Sequence, residues 1–318
     1  MFQEILGRSS WGWAGTGYPG LVVSPPVLRA LGRHPFDARA TITLMVLGGV
    51  LSVMAFSGAD LDVLLLDERT WKLLPWTLPT SVLLHGNAMH LGFNLLVLWQ
   101  LGRVVEAIWG TWRTVLFFLF LAIGSQSAQW ALSGPAVGLS GVVYGLFGLL
   151  WAASRWHEDK LGLLNPSVTR MLVGWFFLCI LLTEMGTLRI ANTAHGAGAI
   201  LGAALGWSLS GPRDRRGWKW FLFPALTLLF VLAGQFGRPY LNFSPSRARE
   251  VFAIGYAQEQ AGQDQAALES FMEATSILPK FEEAWWNQGV CLQKLGFRDE
   301  AEACFKRSKE LGHGDDEE

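Results

Sequence analysis

The sequence has few charged residues and few cysteines, and each shortage excludes a class of protein. Only 16% of the 318 residues are charged and the net charge is −1, so nucleic-acid binding is not expected. Three cysteines, Cys179, Cys291 and Cys304, are too few for a disulfide scaffold and lack metal-site spacing. Cys291 and Cys304 could pair only in an oxidising compartment. The N-terminus lacks the ordered parts of a removable signal peptide.

Apolar residues are abundant but unevenly placed. They make up 51% of the chain and form successive runs of spanning length from about residue 41 to 237, whereas residues 246–318 are charged. We therefore predict an all-α, polytopic membrane bundle of six spans plus a seventh, followed by a small soluble module of helical hairpins. The predicted divisions are an N-terminal interfacial arm (1–40), a catalytic membrane core (41–210), a basic loop with the seventh helix (211–240), two repeats (246–312) and an acidic tail (313–318).

The distribution of Lys and Arg predicts the topology. We place the spans at about 41–57, 81–104, 113–132, 138–155, 171–188, 191–209 and 218–236. The basic residues between them fall on the side of the N-terminus, which makes that side cytoplasmic: Arg103, Arg113, Arg155, Lys160, Arg170, Arg213, Arg215, Arg216 and Lys219. With seven spans, the C-terminal repeats are extracytoplasmic.

Four polar residues interrupt the apolar runs at one predicted depth. Ser140 stands in Gly138-Leu139-Ser140-Gly141, and His195, His90 and Asn94 lie in two other runs. Polar and ionisable groups are costly in lipid, so each is a functional candidate. Spans two, four and six all descend from the outside, and the four residues lie in their first turns. We therefore predict one site below the outer surface.

Small residues predict which spans are neighbours. Gly138, Gly141 and Gly145 on span four, and Gly198, Gly202 and Gly206 on span six, recur at steps of three and four residues. Such stripes let two helices approach closely in lipid. Spans four and six are therefore expected to pack together, which could bring Ser140 and His195 within hydrogen-bond reach.

These residues suit nucleophilic catalysis. A neutral histidine can accept the proton of an attacking serine, and with no acid near His195 we predict a Ser140–His195 dyad rather than a triad. Asn94, His90 and the Ser140 amide would bind the oxyanion. Tyr144 lies one turn after Ser140 and could stack on the imidazole. His85, five residues before His90, is expected to be rotated away from it.

Each feature also has a plainer interpretation. Most Gly-x-Ser-Gly matches are turns or helix contacts, a lone membrane histidine is more often a hydrogen-bonding group, and Asn94 alone would join helices. The spacing of His85 and His90 does not suit zinc, and no acid or cysteine completes a ligand set. No metal and no cofactor are expected. The conjunction of all four residues favours catalysis.

Three motifs together resemble those of the rhomboid intramembrane serine proteases. The second-helix signature is similar to the segment from His85 to Asn94, continued by Gly102 and Glu106. The nucleophile motif is similar to Gly138 to Gly141 with Tyr144. The base motif is similar to Asn192 to Gly198 with Gly202. The resemblance implies that Ser140 attacks, His195 is the base, His90, Asn94 and the Ser140 amide bind the oxyanion, and Glu106 and His85 support the structure. One departure lies in the first outer loop, where the family often has Trp-Arg. Here Thr77 follows Trp76, or the nearer match is Trp71-Lys72 in a displaced register.

The resemblance also implies substrates and a location. Single-span membrane proteins would be cut near the outer membrane surface, and a bacterial inner membrane fits the compact N-terminus. A rival of another class is a non-catalytic rhomboid-like protein that holds transmembrane clients; loss of Ser140 or His195 would mark it, and both are present. A transporter is less favoured, because no buried acid or pair of interrupted helices is evident.

The C-terminal segment shows a period of about 34 residues. Paired positions are Gly255/Gly289, Gly262/Gly296, Ala267/Ala301 and Phe271/Phe305, with Pro279 closing the first unit and Trp285 opening the second. The pattern resembles tetratricopeptide repeats, which would recruit a protein or peptide partner. A plain helical appendage or a dimer contact is equally compatible, because two units leave apolar ends uncovered.

Overall fold

The computed structural model describes residues 37–156, 163–164, 166–188, 190–210, 217–242 and 244–312, and every regular element within these ranges is helical. The predicted N-terminal arm up to residue 36, the basic residues of 211–216 and the acidic tail 313–318 lie outside the described residues. The expectations for those three segments therefore stay predictions.

The helices follow the apolar runs of the sequence. We number the α-helices in chain order: α1 (Arg39–Phe56), α2 (Thr77–Thr80), α3 (Ala88–Trp109), α4 (Thr111–Leu132), α5 (Ser140–Trp156), α6 (Pro166–Glu184), α7 (Asn192–Leu209), α8 (Leu222–Leu232), α9 (Arg238–Leu241), α10 (Pro245–Gln260), α11 (Asp264–Ile277), α12 (Glu282–Lys294) and α13 (Arg298–Glu310). A π-helical turn (Ala233–Gly237) makes α8 and α9 continuous.

Five described stretches are long and apolar enough to cross a membrane: α1, α3, α4, α6 and the 20 residues Leu222–Leu241. The last of these overlaps the predicted seventh span over residues 222–236. Helices α5 and α7 are not among the five; α5 has 17 residues, and α7 is rich in Gly and Ala. The count of seven spans and the topology stay predictions.

The predicted start of the second span is wrong. We expected a span from about residue 81, but two short turns (Thr77–Thr80 and Ser81–Leu83) come first and α3 begins at Ala88. The reason is an N-cap: the Asn87 side chain accepts a hydrogen bond from the His90 N–H (2.9 Å). His85 therefore precedes the helix.

Helices α5 and α7 are in backbone contact, as their small residues predict. A Cβ atom on Gly198 would overlap the Gly141 carbonyl, one on Gly202 the Gly145 carbonyl, and one on Gly206 the Leu149 carbonyl. Larger residues would hold the helices apart. In lipid, association depends on such close packing, because water does not drive apolar surfaces together there. The glycines therefore set the separation between the helix of Ser140 and the helix of His195.

Glu106 fixes the N-terminus of α1 to α3. Its buried carboxylate accepts hydrogen bonds from the backbone N–H groups of Ala40 (2.8 Å) and Thr41 (3.0 Å) and from the Thr41 hydroxyl (2.9 Å). These N–H groups have no partner within their own helix, so the carboxylate caps α1. Gly102, one turn before Glu106, leaves room for Thr41, since a Cβ there would lie 2.8 Å from Thr41 Cγ2.

The last four helices form two hairpins with matching contacts. Gly255 on α10 faces the Phe271 ring of α11, and Gly289 on α12 faces the Phe305 ring of α13. Burial and the neighbouring carboxylates Glu259 and Asp264 raise the pKa of Cys291 to about 11. Cys291 and Cys304 are both buried and unbonded.

Candidate active site

Ser140 begins α5 at the end of a short connection. We call residues 133–139 the 133–139 loop. Its two glycines, Gly134 (φ 122°) and Gly138 (φ 112°), adopt backbone conformations that side-chain-bearing residues rarely reach. Leu139 is completely buried, and its N–H donates to His85 Nε2 (3.4 Å). Ser140 is half-buried at the first position of the helix. The loop thus presents a serine at a helix N-terminus.

His90 and Asn94 lie on one face of α3, directly against the 133–139 loop. A Cβ atom on Gly138 would lie 2.6 Å from His90 Cε1 and 3.6 Å from Asn94 Nδ2, so glycine is needed there. Asn94 is 1% exposed. Its Nδ2 has no hydrogen-bond partner within the described residues. A buried amide donor without a partner is unusual and points to a group that it meets during function.

His195 lies in the first turn of α7 and is 3% exposed. Its ring stacks on Tyr144, with centroids 4.6 Å apart and planes inclined by 26°. The Tyr144 hydroxyl donates to the Leu172 carbonyl (3.0 Å), which fixes the phenol ring. In the described part of the chain, His195 Nδ1 has no hydrogen-bond partner, and no hydrogen bond joins Ser140 to His195. Packing, rather than an acid, orients this imidazole.

His85 lies beside His90, which corrects the expectation that it is rotated away. The two rings meet edge to face with centroids 5.0 Å apart. The rule for helix faces does not apply, because His85 precedes α3. Its Nδ1 is 3.0 Å from the Ser52 hydroxyl of α1, while Nε2 accepts from Leu139. His85 therefore connects α1, α3 and the 133–139 loop.

Sequence reasoning missed two glutamines on α4. Gln129 Oε1 accepts from the Ala194 N–H (3.0 Å), immediately before His195, and Gln126 Nε2 donates to the Ala136 carbonyl (3.1 Å) in the 133–139 loop. Helix α4 thus holds both segments that carry the site, the 133–139 loop and the first turn of α7. The signal was present in the sequence, since Ser125 to Gln129 is a polar run within an apolar helix.

The surroundings of Gly141 show how closely α5 packs against α4 and α7. A Cβ atom there would lie 2.9 Å from Ser125 Cβ and 3.4 Å from the Ala194 carbonyl oxygen. Among the described residues, no three His, Cys, Asp or Glu side chains cluster in a way that would hold a metal ion. The arrangement places His85, His90 and Asn94 against the 133–139 loop that ends at Ser140, and it places Gly141 against the residue before His195.

Two comparisons with known proteins point to the same family as the sequence motifs. Residues 73–212 match the Rhomboid domain. The rhomboid protease GlpG of Enterobacter sp. (strain 638) is 28% identical over 193 residues, which cover 55% of this chain and 67% of that protein. The two matches support the rhomboid family, intramembrane protease activity at the family level and a multi-pass integral membrane protein. The tetratricopeptide likeness of the C-terminal helices stays a prediction.

Proposed function

We propose that the protein is an intramembrane serine endopeptidase that cleaves transmembrane substrates near the outer membrane surface with a Ser140–His195 dyad. In the first step, Ser140 Oγ attacks the scissile carbonyl carbon while His195 takes the hydroxyl proton. The C–O bond forms and the carbonyl oxygen becomes an oxyanion. His195 then passes the proton to the leaving amine, and an acyl-enzyme remains.

The second step restores the serine. A water molecule attacks the ester carbonyl, His195 accepts a proton from that water, and the proton returns to Ser140 Oγ as the acid product leaves. Both steps develop negative charge on the same oxygen. The Asn94 amide, the His90 ring and the Ser140 N–H are the donors for it.

One observation carries this proposal. The Asn94 donor is buried and has no partner in the described part of the chain, yet it faces Gly138, two residues before Ser140. An amide that only joined helices would be hydrogen-bonded to a neighbouring helix. Burying a polar group without a partner costs about 1 to 3 kcal/mol, and an oxyanion that forms beside Gly138 would supply the missing partner of Asn94.

Stacking supports the role of His195 as the base. A histidine that acts as a base must be neutral, and its ring must be correctly oriented. In a catalytic triad, a carboxylate orients the ring. Here the Tyr144 ring, itself held by Leu172, takes that task. Ser140 is half-buried rather than fully buried, which suits attack on a substrate that unwinds beside α5.

The test is cleavage of a model single-span substrate by the full-length protein in liposomes. We expect product from the wild type and a loss of at least about 10⁴-fold in Ser140→Ala and in His195→Ala. Ser208→Ala is the matched control, because Ser208 is a buried serine on α7. Among the described residues its hydroxyl bonds only to its own helix, at the Leu205 carbonyl (2.8 Å).

The rival function gives a different result. A non-catalytic client-binding protein would release no product from any substrate while still retaining the transmembrane protein in a pull-down, and Ser140→Ala would bind as the wild type does. Product that persists in Ser140→Ala would also contradict the proposal.

A further inference from the structure

The chain returns to the catalytic core after its last apolar helix. Arg238, at the start of α9, is 7% exposed and donates through its guanidinium to the Trp130 carbonyl on α4. The same guanidinium lies over the Trp130 ring, 3.9 Å from the centroid, and pairs with Glu250 on α10. One buried cation thus joins the membrane core to the first C-terminal helix.

Two serines add a second contact at the same place. The Ser246 hydroxyl donates to the Ser133 carbonyl (2.6 Å). The Ser244 hydroxyl lies 3.0 Å from the same carbonyl and shares its single proton between that oxygen and Asn242 Oδ1 (2.6 Å). Ser246 also lies close to Gly134, where a Cβ atom would be 3.1 Å from its Oγ. Because α4 ends at Leu132, the carbonyls of Trp130 and Ser133 have no partner within that helix. The C-terminal segment supplies those partners.

Ser133 is also connected to both halves of the candidate site. It is the first residue of the 133–139 loop, seven residues before Ser140. Its hydroxyl is 3.1 Å from the Thr193 hydroxyl, two residues before His195. Its N–H donates to the carbonyl of Gln129, the residue whose side chain accepts from Ala194. Any displacement of Ser133 would therefore move both the helix that carries His195 and the loop that positions Ser140.

We propose that Arg238, Ser244 and Ser246 are positioning residues that hold the 133–139 loop from the side of the C-terminal helices. This inference rests on the proposed function, because it assigns the loop the task of placing Ser140. The C-terminal helices then act on the reaction through the backbone of the core, in addition to whatever they bind.

A flexible tether would not make these contacts. Hydrogen bonds that involve a charged group are worth about twice as much as neutral ones, and a planar guanidinium can satisfy a carbonyl and a carboxylate at fixed geometry. The 133–139 loop itself contains Gly134 and Gly138, whose freedom must be restrained for Ser140 to keep one position. Gln126 restrains the loop from the core, and the serine pair restrains it from the other side.

The experiment compares two changes in the full-length protein, Ser244→Ala/Ser246→Ala and Arg238→Met. Their matched controls are Ser270→Ala/Ser276→Ala and Arg247→Met, which remove hydrogen bonds and an ion pair made only among the C-terminal helices. Two readouts are taken: kcat and KM for a single-span substrate, and hydrogen exchange of the amides of residues 133–139.

We expect the serine pair to lower kcat by roughly tenfold with KM changed by less than about twofold, since misplacement of a reacting group affects the chemical step. Exchange in the 133–139 loop should rise by at least about tenfold. Arg238→Met should have the larger effect, and Arg238→Lys, which keeps the charge, should recover part of it. Both controls should match the wild type.

Three outcomes would overturn the inference: unchanged exchange in the loop, a rise in KM with normal kcat, or an equal loss in the controls. The second of these would instead assign the C-terminal helices to substrate recruitment. Exchange is measured without substrate, so it decides the inference even if the wild type shows no Ser140-dependent cleavage, which would contradict the proposed function alone.

Discussion

The membrane core and the C-terminal helices both pack around glycine, but against different partners. Gly198, Gly202 and Gly206 on α7 face backbone carbonyls of α5, whereas Gly255 and Gly289 face phenylalanine rings. In lipid, apolar rings gain nothing by leaving the solvent, so the core depends on close backbone approach. In water, covering a phenylalanine contributes through the hydrophobic effect. A helical glycine thus allows close backbone contact in the membrane core and makes room for an aromatic ring in the C-terminal helices.

The two regions also treat buried polar groups differently. Within residues 244–312, every buried side-chain nitrogen or oxygen has a hydrogen-bond partner, such as Thr275 with Gln288 (3.1 Å). In the described part of the core, six buried side-chain atoms have no partner: Trp71 Nε1, Asn94 Nδ2, Gln126 Oε1, Ser127 Oγ, Asn192 Oδ1 and His195 Nδ1. Two of them belong to the candidate site, where reacting groups would supply the partners of Asn94 and His195.

Apart from the loss of Ser140 or His195 themselves, the largest expected combined effect on cleavage and stability comes from Gly202→Ala. The new Cβ atom would lie 2.6 Å from the Gly145 carbonyl carbon, and backbone cannot rotate aside as a side chain can. Helices α5 and α7 must separate, which moves His195 away from Ser140. Because a displacement of 1 Å can cost about 10²-fold in rate, we expect cleavage to fall by at least about that factor, with a lower thermal unfolding midpoint.

Gly196→Ala is the control for that change. It lies on the same helix, next to His195, and a Cβ atom there would meet nothing within 4 Å. Near-normal cleavage by this variant, alongside the loss in Gly202→Ala, would establish backbone contact as the cause. Equal losses in both would mean that the glycines of α7 serve some purpose other than close packing.

The next largest effect is expected from Asn94→Leu. Losing one oxyanion donor costs about 10²- to 10³-fold in kcat, while replacing an unpartnered buried amide with an apolar group of similar size should leave the unfolding midpoint unchanged or raise it. Steady-state cleavage and thermal unfolding of the same preparation measure both quantities. A marked loss of stability would indicate that Asn94 is a structural hydrogen-bonding group.

Gln288→Leu is the matching change in the C-terminal helices, where the amide that is removed has a hydrogen-bond partner. It removes one acceptor of the Thr275 hydroxyl, which keeps a second acceptor in the Met272 carbonyl (3.0 Å). We therefore expect a local loss of stability of only about 0.5 to 1.5 kcal/mol, the net value of one hydrogen bond, seen as faster hydrogen exchange in α11 and α12, with cleavage unaffected.

The smallest effect is expected from Gly289→Ala. Its Cβ atom would approach Phe305 Cε1 to 2.7 Å, but an aromatic ring can turn. The strain is further offset by the better helix propensity of alanine, worth up to about 1 kcal/mol. Hydrogen exchange in α12 and α13 should change by less than about tenfold. Loss of the folded hairpin would show that this contact is as rigid as the one in the core.

Much of the candidate site could be predicted from local sequence. The polar residues stand out because they interrupt apolar runs, and the glycine steps predict the α5–α7 contact that the structure contains. The start of α3 could not be located by hydropathy, since apolar residues continue through the two short turns before it. Only the Asn87 cap marks that boundary, and with it the position of His85 beside His90.

The sequence by itself determined the apolar lengths, the glycine positions and the residue types available for chemistry, because these depend on neighbours within a few turns. The tertiary structure decided which carbonyls Gln126, Ser246 and Arg238 satisfy, through contacts that in the case of Arg238 span 108 residues. A helix end leaves the same orphan carbonyls whatever follows it in the chain. Their partners are fixed only when distant segments fold together.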